Sequence, residues 1–225
     1  MRYAPVLAML RSESGTLLEV GSGSEGICQY LGRPVIGLEI RFPEPPNPLL
    51  RAVGGTATRL PFADRSIDVV LVMDTMEHIP AALREEALNE AMRVARRRII
   101  VGGPMGPRAR GGDERLAAFY RKHAIEVPDW LNEHLTERAP DVQAIAGPLR
   151  AGGWRVRARG NENLALHVWL MELETKRFFY RASSKLRRTW PRAASTIARA
   201  LSVGPYYSWL VDARRDGSTR TTPGT

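Results

Sequence analysis

An apolar stretch at residues 16–20 runs without a break into the glycine-rich segment GSGSEG at residues 21–26. Gly21, Gly23 and Gly26 permit positive φ there and let a ligand approach the backbone closely. A helix that opens just after such a turn presents free N–H groups. The strand and helix signals that follow alternate, which points to a parallel sheet with crossover helices. Taken alone, G-x-G-x-x-G also marks dinucleotide-binding folds and is a weak signal.

Residues 35–40 form the expected second strand. The proline-dense stretch 42–48 after it cannot be regular helix, because proline removes donors and restrains its neighbours. A weak third strand is expected at 52–56 and a strong, β-branched fourth at 67–72. Residues 81–94 read as an amphipathic helix with Leu83, Ala87, Leu88, Ala91 and Val94 on one face. A short buried strand follows at 98–101. The glycines and prolines of 102–112 read as a loop. Residues 114–138 read as helix interrupted near Pro128, 154–159 as strand, 164–202 as helix with a start or kink at Pro191, and 206–213 as a last strand. The first residues read as a helix entering the fold, and 216–225 as a disordered tail. One domain over 1–215 is expected, with helical insertions at about 105–150 and 160–205.

Two carboxylates separate the readings of the glycine loop. Glu19 lies on the strand just before it, where it would repel a pyrophosphate but suits a cationic amino or sulfonium group. Glu39 ends the second strand, where a carboxylate can accept two ribose hydroxyls. With these in place, residues 15–104 resemble the class I S-adenosylmethionine-dependent methyltransferases, in particular the type 11 methyltransferase-domain group. LLEVGSGSEG resembles that family's first motif, VIGLEI its second strand, and GTATRLPFADRSIDVVLVMDTMEHI its acidic, Leu-Pro-Phe and Glu-His block. The resemblance implies a Rossmann-like, mostly parallel sheet of about seven strands with an antiparallel last strand. It implies S-adenosylmethionine as cofactor, with Glu19, Gly21 and Gly23 around its methionine part and Glu39 on its ribose. Ala57 and Leu60 would line the adenine pocket, and Met73 and Asp74 would sit where the fourth strand opens onto the site. Thr56 stands where the family has an aspartate, and its hydroxyl offers the adenine amine a weaker bond. Arg96, Arg97 and Arg98 replace the family's turn before the fifth strand and read as a solvated edge.

His78 and Asp74 are the candidate catalytic residues. His78 could take the acceptor's proton, or merely cap and pack, and Asp74 could position the acceptor. Asp68 reads as fixing local backbone. His123, His134 and His167 each read as ordinary surface or core histidines. Cys28 reads as a buried filler. Neither Cys/His spacing nor the carboxylates mark a metal site, so no metal is expected.

The sequence carries a net charge of +9, with arginine spread along most of it. That balance attracts anions, yet composition alone accounts for it equally well. The stretch 175–211 holds Lys176, Arg177, Arg181, Lys185, Arg187, Arg188, Arg192 and Arg199 without an acidic residue before Asp212. Its part from 175 to 202 reads as a helical cap, either packed on its own domain or in peripheral contact with an anionic membrane. A lone cysteine excludes an internal disulfide, and no apolar run reaches the ~18 residues of a membrane span. A cytoplasmic protein is expected. The leading expectation is O-methylation of a small-molecule, sugar or lipid-linked acceptor. RNA methylation is the alternative raised by charge, though no appended RNA-binding module is recognisable. An NAD-dependent oxidoreductase is opposed by Glu19 and by the lack of a Tyr-x-x-x-Lys pair. A non-catalytic member that binds only cofactor or membrane is kept open by Thr56.

Overall fold

The structure is a computed structural model that describes residues 3–175 and 203–215. Helix α1 (Ala4–Arg11) leads into β1 (Leu17–Val20), the short α2 (Cys28–Leu31), β2 (Val35–Glu39), β3 (Leu50–Gly54) and β4 (Ile67–Met73). A 3₁₀ turn at Ala81–Leu83 opens α3 (Arg84–Val94), and β5 (Ala95–Pro104) follows. Three helices come next: α4 (Gly106–Lys122), α5 (Asp129–Thr136) and α6 (Val142–Ala151). The chain closes with β6 (Arg155–Gly160), α7 (Leu164–Glu174) and β7 (Ser208–Arg214).

The described strands form one seven-stranded sheet in the order β3-β2-β1-β4-β5-β7-β6. The first five neighbours pair in parallel, and β7 runs antiparallel between β5 and β6, as expected. β1 and β4 are buried along nearly their whole length, as suits central strands covered on both faces. Alternate residues feed two cores. Leu18, Val20, Val70, Val72, Ile99 and Val101 pack with Leu88 and Ala91 of α3 and Leu149 of α6. Leu17, Val69, Leu71 and Ile100 pack with Val6 and Leu10 of α1 and with Cys28 of α2. A third cluster, centred on Leu116, Tyr120 and Leu131, holds α4 to α5.

Three sequence expectations are corrected. Residues 102–112 are not a loop: β5 continues to Pro104 and α4 begins at Gly106. Gly102 is there for space, since a Cβ would lie 2.6 Å from the Met73 sulfur and 2.8 Å from Leu210 Cδ2. Pro107 sits in the first helical turn, where its missing N–H costs nothing. The third strand spans Leu50–Gly54 rather than 52–56, and the fifth begins at Ala95 rather than 98.

The third correction concerns Arg98, which is no solvated edge. It is 2% exposed. Its guanidinium donates to both carboxylate oxygens of Asp212 at 2.7 and 2.9 Å and to Glu13 at 2.6 Å. Pairing of that completeness is what a buried charge requires. Arg97 is half-buried and donates to Ser14 O and Asp68, while Arg96 is exposed. Of the expected 164–202 helix, α7 covers Leu164–Glu174, and most of the basic stretch lies outside the described residues, as does the 216–225 tail. Among the described residues no helix is long and apolar enough to cross a membrane.

Candidate active site

From β1 the chain moves outward to β2 and β3, then returns past β1 to β4 and β5. Strand order therefore reverses between β1 and β4, and in open α/β sheets ligands bind in the crevice at the carboxyl ends of such strands. The glycine loop leaves β1 at that point. Gly21 has φ +72°, and a Cβ there would lie 2.4 Å from Thr75 Oγ1. The Thr75 hydroxyl shares its one proton between the carbonyls of Val20 at 3.1 Å and Met73 at 2.9 Å, tying the ends of β1 and β4 together.

Glu19 is fully buried, and its Oε2 accepts from the Ile27 amide at 2.7 Å. This carboxylate pins the far side of the glycine loop. Glu39 is half-buried and accepts from the amides of Gly23 at 3.1 Å and Ile40 at 3.0 Å. A carboxylate has about four lone-pair sites, so Glu39 keeps capacity for further donors. Among the described residues nothing lies within 4 Å of where a Gly23 Cβ would project, so the loop faces open space beside Glu39. Thr56 is exposed and bonds Thr58 through its hydroxyl at 2.8 Å. Ala57 is half-buried against the core. Leu60 is buried, and its amide donates to Glu90 at 2.8 Å.

Beyond Met73 the backbone makes an abrupt turn. Asp74 adopts φ +46°, a left-handed conformation that is uncommon away from glycine and recurs at functional sites. The turn delivers Asp74, Glu77 and His78 into a cavity of about 340 Å³. The floor is Met73 with Gly103 and Pro104 at the end of β5, and the walls come from α5, α7, the Asn161–Glu162 corner and the start of β7. Gly103 has φ +154°, and a Cβ would come within 3.1 Å of the Glu77 carboxylate, so glycine gives that carboxylate its place.

Buried Arg84 braces the turn, donating to the carbonyls of Ile79 at 2.8 Å, Arg138 at 2.6 Å and Glu77 at 3.4 Å. Burial lowers its pKa against the opposing pull of Glu137 and Glu77.

The cavity walls hold two histidines that the sequence reading took as ordinary, His134 and His167, together with Tyr207. His134 is buried on α5, its ring 5.1 Å from that of His78, and its Nδ1 pairs with Asp113 at 3.2 Å. Asp113 also accepts from the Tyr207 hydroxyl at 2.8 Å. Burial, reinforced by Asp113, pushes that phenol well above the ordinary tyrosine range. His78 Nδ1 pairs with Glu133 at 2.7 Å. His167 stacks on Tyr207 at 3.6 Å and pairs with Glu162 at 3.1 Å. Burial pushes the Glu162 carboxyl up, but the bond from His167 and the positive charge around it together outweigh that, and the group lies below the usual carboxylate range. His123, by contrast, is exposed, and its ring bonds its own helix at Phe119 O. No local pattern marks His134 or His167; their one sequence signal is position in the segments expected to shape the acceptor site.

Residues 18–100 match the family described as Methyltransferase domain. A demethylmenaquinone methyltransferase from Beutenbergia cavernae is 32% identical over 126 residues, 48% of this chain and 49% of the relative. The chain thus spans about half the length of the curated relative it matches. Among solved structures, an S-adenosylmethionine-dependent methyltransferase from Archaeoglobus fulgidus superposes with a TM-score of 0.54 at 17% identity, covering 94% of this chain and 93% of that one. Magnesium protoporphyrin IX methyltransferase from Synechocystis PCC 6803, solved with bound S-adenosylhomocysteine, gives 0.50 at 14% identity, covering 95% and 80%. At such identities these structures speak to the fold alone, which is the Rossmann-like fold of class I methyltransferases.

Proposed function

We propose that this chain, which carries a type 11 methyltransferase domain over residues 18–100, methylates an oxygen of a small-molecule acceptor with S-adenosylmethionine as donor. The observation that carries the reading is one juxtaposition. A glycine loop held by Glu19 and Glu39 opens at the same strand ends as a separately walled cavity, and Met73–Asp74 lies between them.

Glu39 would hold the ribose, Gly21 and Gly23 the methionine part, and Thr56, Ala57 and Leu60 the adenine. When bound, the donor supplies an activated methyl group on a sulfonium, which the acceptor oxygen takes in line as the thioether leaves. The chain's own contribution is chiefly positioning. Asp74 orients the acceptor hydroxyl, and His78, backed by Glu133, takes its proton. The cavity lies in the size range of small-ligand sites and suits an acceptor with a compact reacting end. A lipid-linked acceptor and a peripheral contact with anionic membrane remain part of this proposal, resting on the basic sequence of 176–202. The demethylmenaquinone methyltransferase relative supports a small organic acceptor.

The test is calorimetry with S-adenosylmethionine and with NAD, followed by an acceptor screen with methyl-labelled donor. Saturable binding of the first and not the second is expected. Tight binding of NAD alone would overturn the reading.

A further inference from the structure

The geometry points to a binding site for one divalent transition-metal ion in the acceptor cavity, formed by Glu77, His78 and His134. This inference rests on the methyltransferase reading only for what the ion does, not for whether it binds.

One ligand atom from each of these side chains lies within 4.8 Å of the other two. Two imidazoles and one carboxylate, with positions left open, are a donor set that suits zinc, cobalt or iron(II) rather than the all-oxygen preference of magnesium or calcium. Adjacent residues Glu77 and His78 come from the turn after β4, and His134 comes from α5, so the set exists only once α5 has docked.

A second observation is independent of that clustering. Metal-bound histidines almost always engage a carboxylate, carbonyl or water through the other ring nitrogen, which fixes ring orientation and raises ligand basicity. Both histidines have that partner already: Glu133 on His78 Nδ1 and Asp113 on His134 Nδ1. Asp113 is fixed in turn by the Tyr207 hydroxyl. With these pairings kept, Nε2 is the atom each ring turns toward the ion. Glu77 is buried in the cavity beside Gly103, and its carbonyl accepts from Arg84 at 3.4 Å. A Cβ at position 103 would push that carboxylate away.

An ion at this point faces the cavity lined by Met73 and Asp74. It binds the acceptor's hydroxyl oxygen and lowers its pKa, as bound metals do for water. The proton then passes to the Asp74 carboxylate, and the oxygen stays on the ion as alkoxide or phenoxide. His78 becomes a ligand rather than the proton acceptor, and an acceptor offering two adjacent oxygens gains most.

The experiment uses the full chain, stripped with chelator and titrated with cobalt(II) and with zinc(II). A single ion per chain is expected. The cobalt form should show two exchangeable, hyperfine-shifted imidazole N–H resonances, one from each Nδ1. His134→Ala and Glu77→Gln should each weaken zinc binding at least tenfold, Asp113→Asn should weaken it about 10–100-fold, and His123→Ala should leave it unchanged. No stoichiometric binding by the unaltered chain, or no shifted N–H resonances, overturns the site even if a variant fails to fold. Each preparation is also titrated with S-adenosylmethionine. In the unaltered chain, absent metal binding with donor binding intact refutes the ion site alone, whereas metal binding without donor binding refutes the functional reading and leaves the ion site standing; in the variants, weakened metal binding with donor binding intact supports the site.

Discussion

Glu39 accepts hydrogen bonds from two loop amides while facing the open side of the glycine loop. Glu39→Ala should therefore weaken S-adenosylmethionine binding by about 1–3 kcal/mol, the usual loss when a bond to a charged group is removed. Titration of the folded variant checks this, and unchanged affinity would remove Glu39 from the donor site. Thr56 gives a test of opposite sign. Its hydroxyl is exposed and already shared with Thr58. Thr56→Asp offers the adenine amine a charged acceptor, and affinity should rise several-fold, by about 1 kcal/mol. The places of Glu19 and Glu39 beside the glycine loop were legible in the sequence, because Glu19 precedes the glycines on their own strand and Glu39 ends the next one. His134, His167 and Tyr207 were not, because each acquires its place from partners on other helices and strands.

Among the elements, β5 is fixed to its neighbours by one buried cation. Arg98 joins β5 to Asp212 on β7 and to Glu13 just past α1. Arg98→Ala leaves Asp212 and Glu13 with the longer contacts to half-exposed Arg214, at 3.6 and 3.7 Å, and should cost about 3 kcal/mol of stability, the low end for a broken buried pair, read from urea unfolding. Arg98→Met, which fills the volume, should cost nearly as much, because the acidic partners remain. A run of three arginines gives no hint which one turns inward; the register of β5 against β7, with Arg98 opposite Arg214, decides it. The misread segment 102–112 has a similar cause. Glycine signals a turn when it supplies φ, but Gly102 supplies room for Met73 and Leu210, and only packing distinguishes the two.

For the molecule as a whole, acid should be the weak side. Asp68 feels burial, which raises its pKa, but the bonds from Thr16 and the charges of Arg97 and Arg96 outweigh it, and its carboxyl lies below the usual range. Glu90 is lowered chiefly by its bond to Arg93, and Glu162 is lowered as well. A carboxyl with a lower pKa folded than unfolded stabilises the fold above the unfolded value, near ~4. That contribution fades as pH falls through the folded value. Stability should accordingly hold from neutrality to about pH 5 and decline steadily below it. Asp68→Asn should lower stability at pH 7, flatten that decline, and cost far less at pH 2, as denaturant titrations across pH would show.

The glycine loop and the cavity are drawn from separate stretches of chain. The glycine loop and its carboxylates lie within residues 19–39, whereas the described cavity lining comes from 73–78, 103–104, 130–134, 161–171 and 207–208. Their meeting point is Met73–Asp74. Such a division makes the protein modular in an evolutionary sense. On the proposed reading, substitutions on α5 or α7 would retune what is methylated while the grip on the donor is left intact, so lineages could diverge in substrate through independent steps. In energetic terms, changes at Glu39 and at His167 should add within about 0.5 kcal/mol, with no epistasis between the two halves of the site.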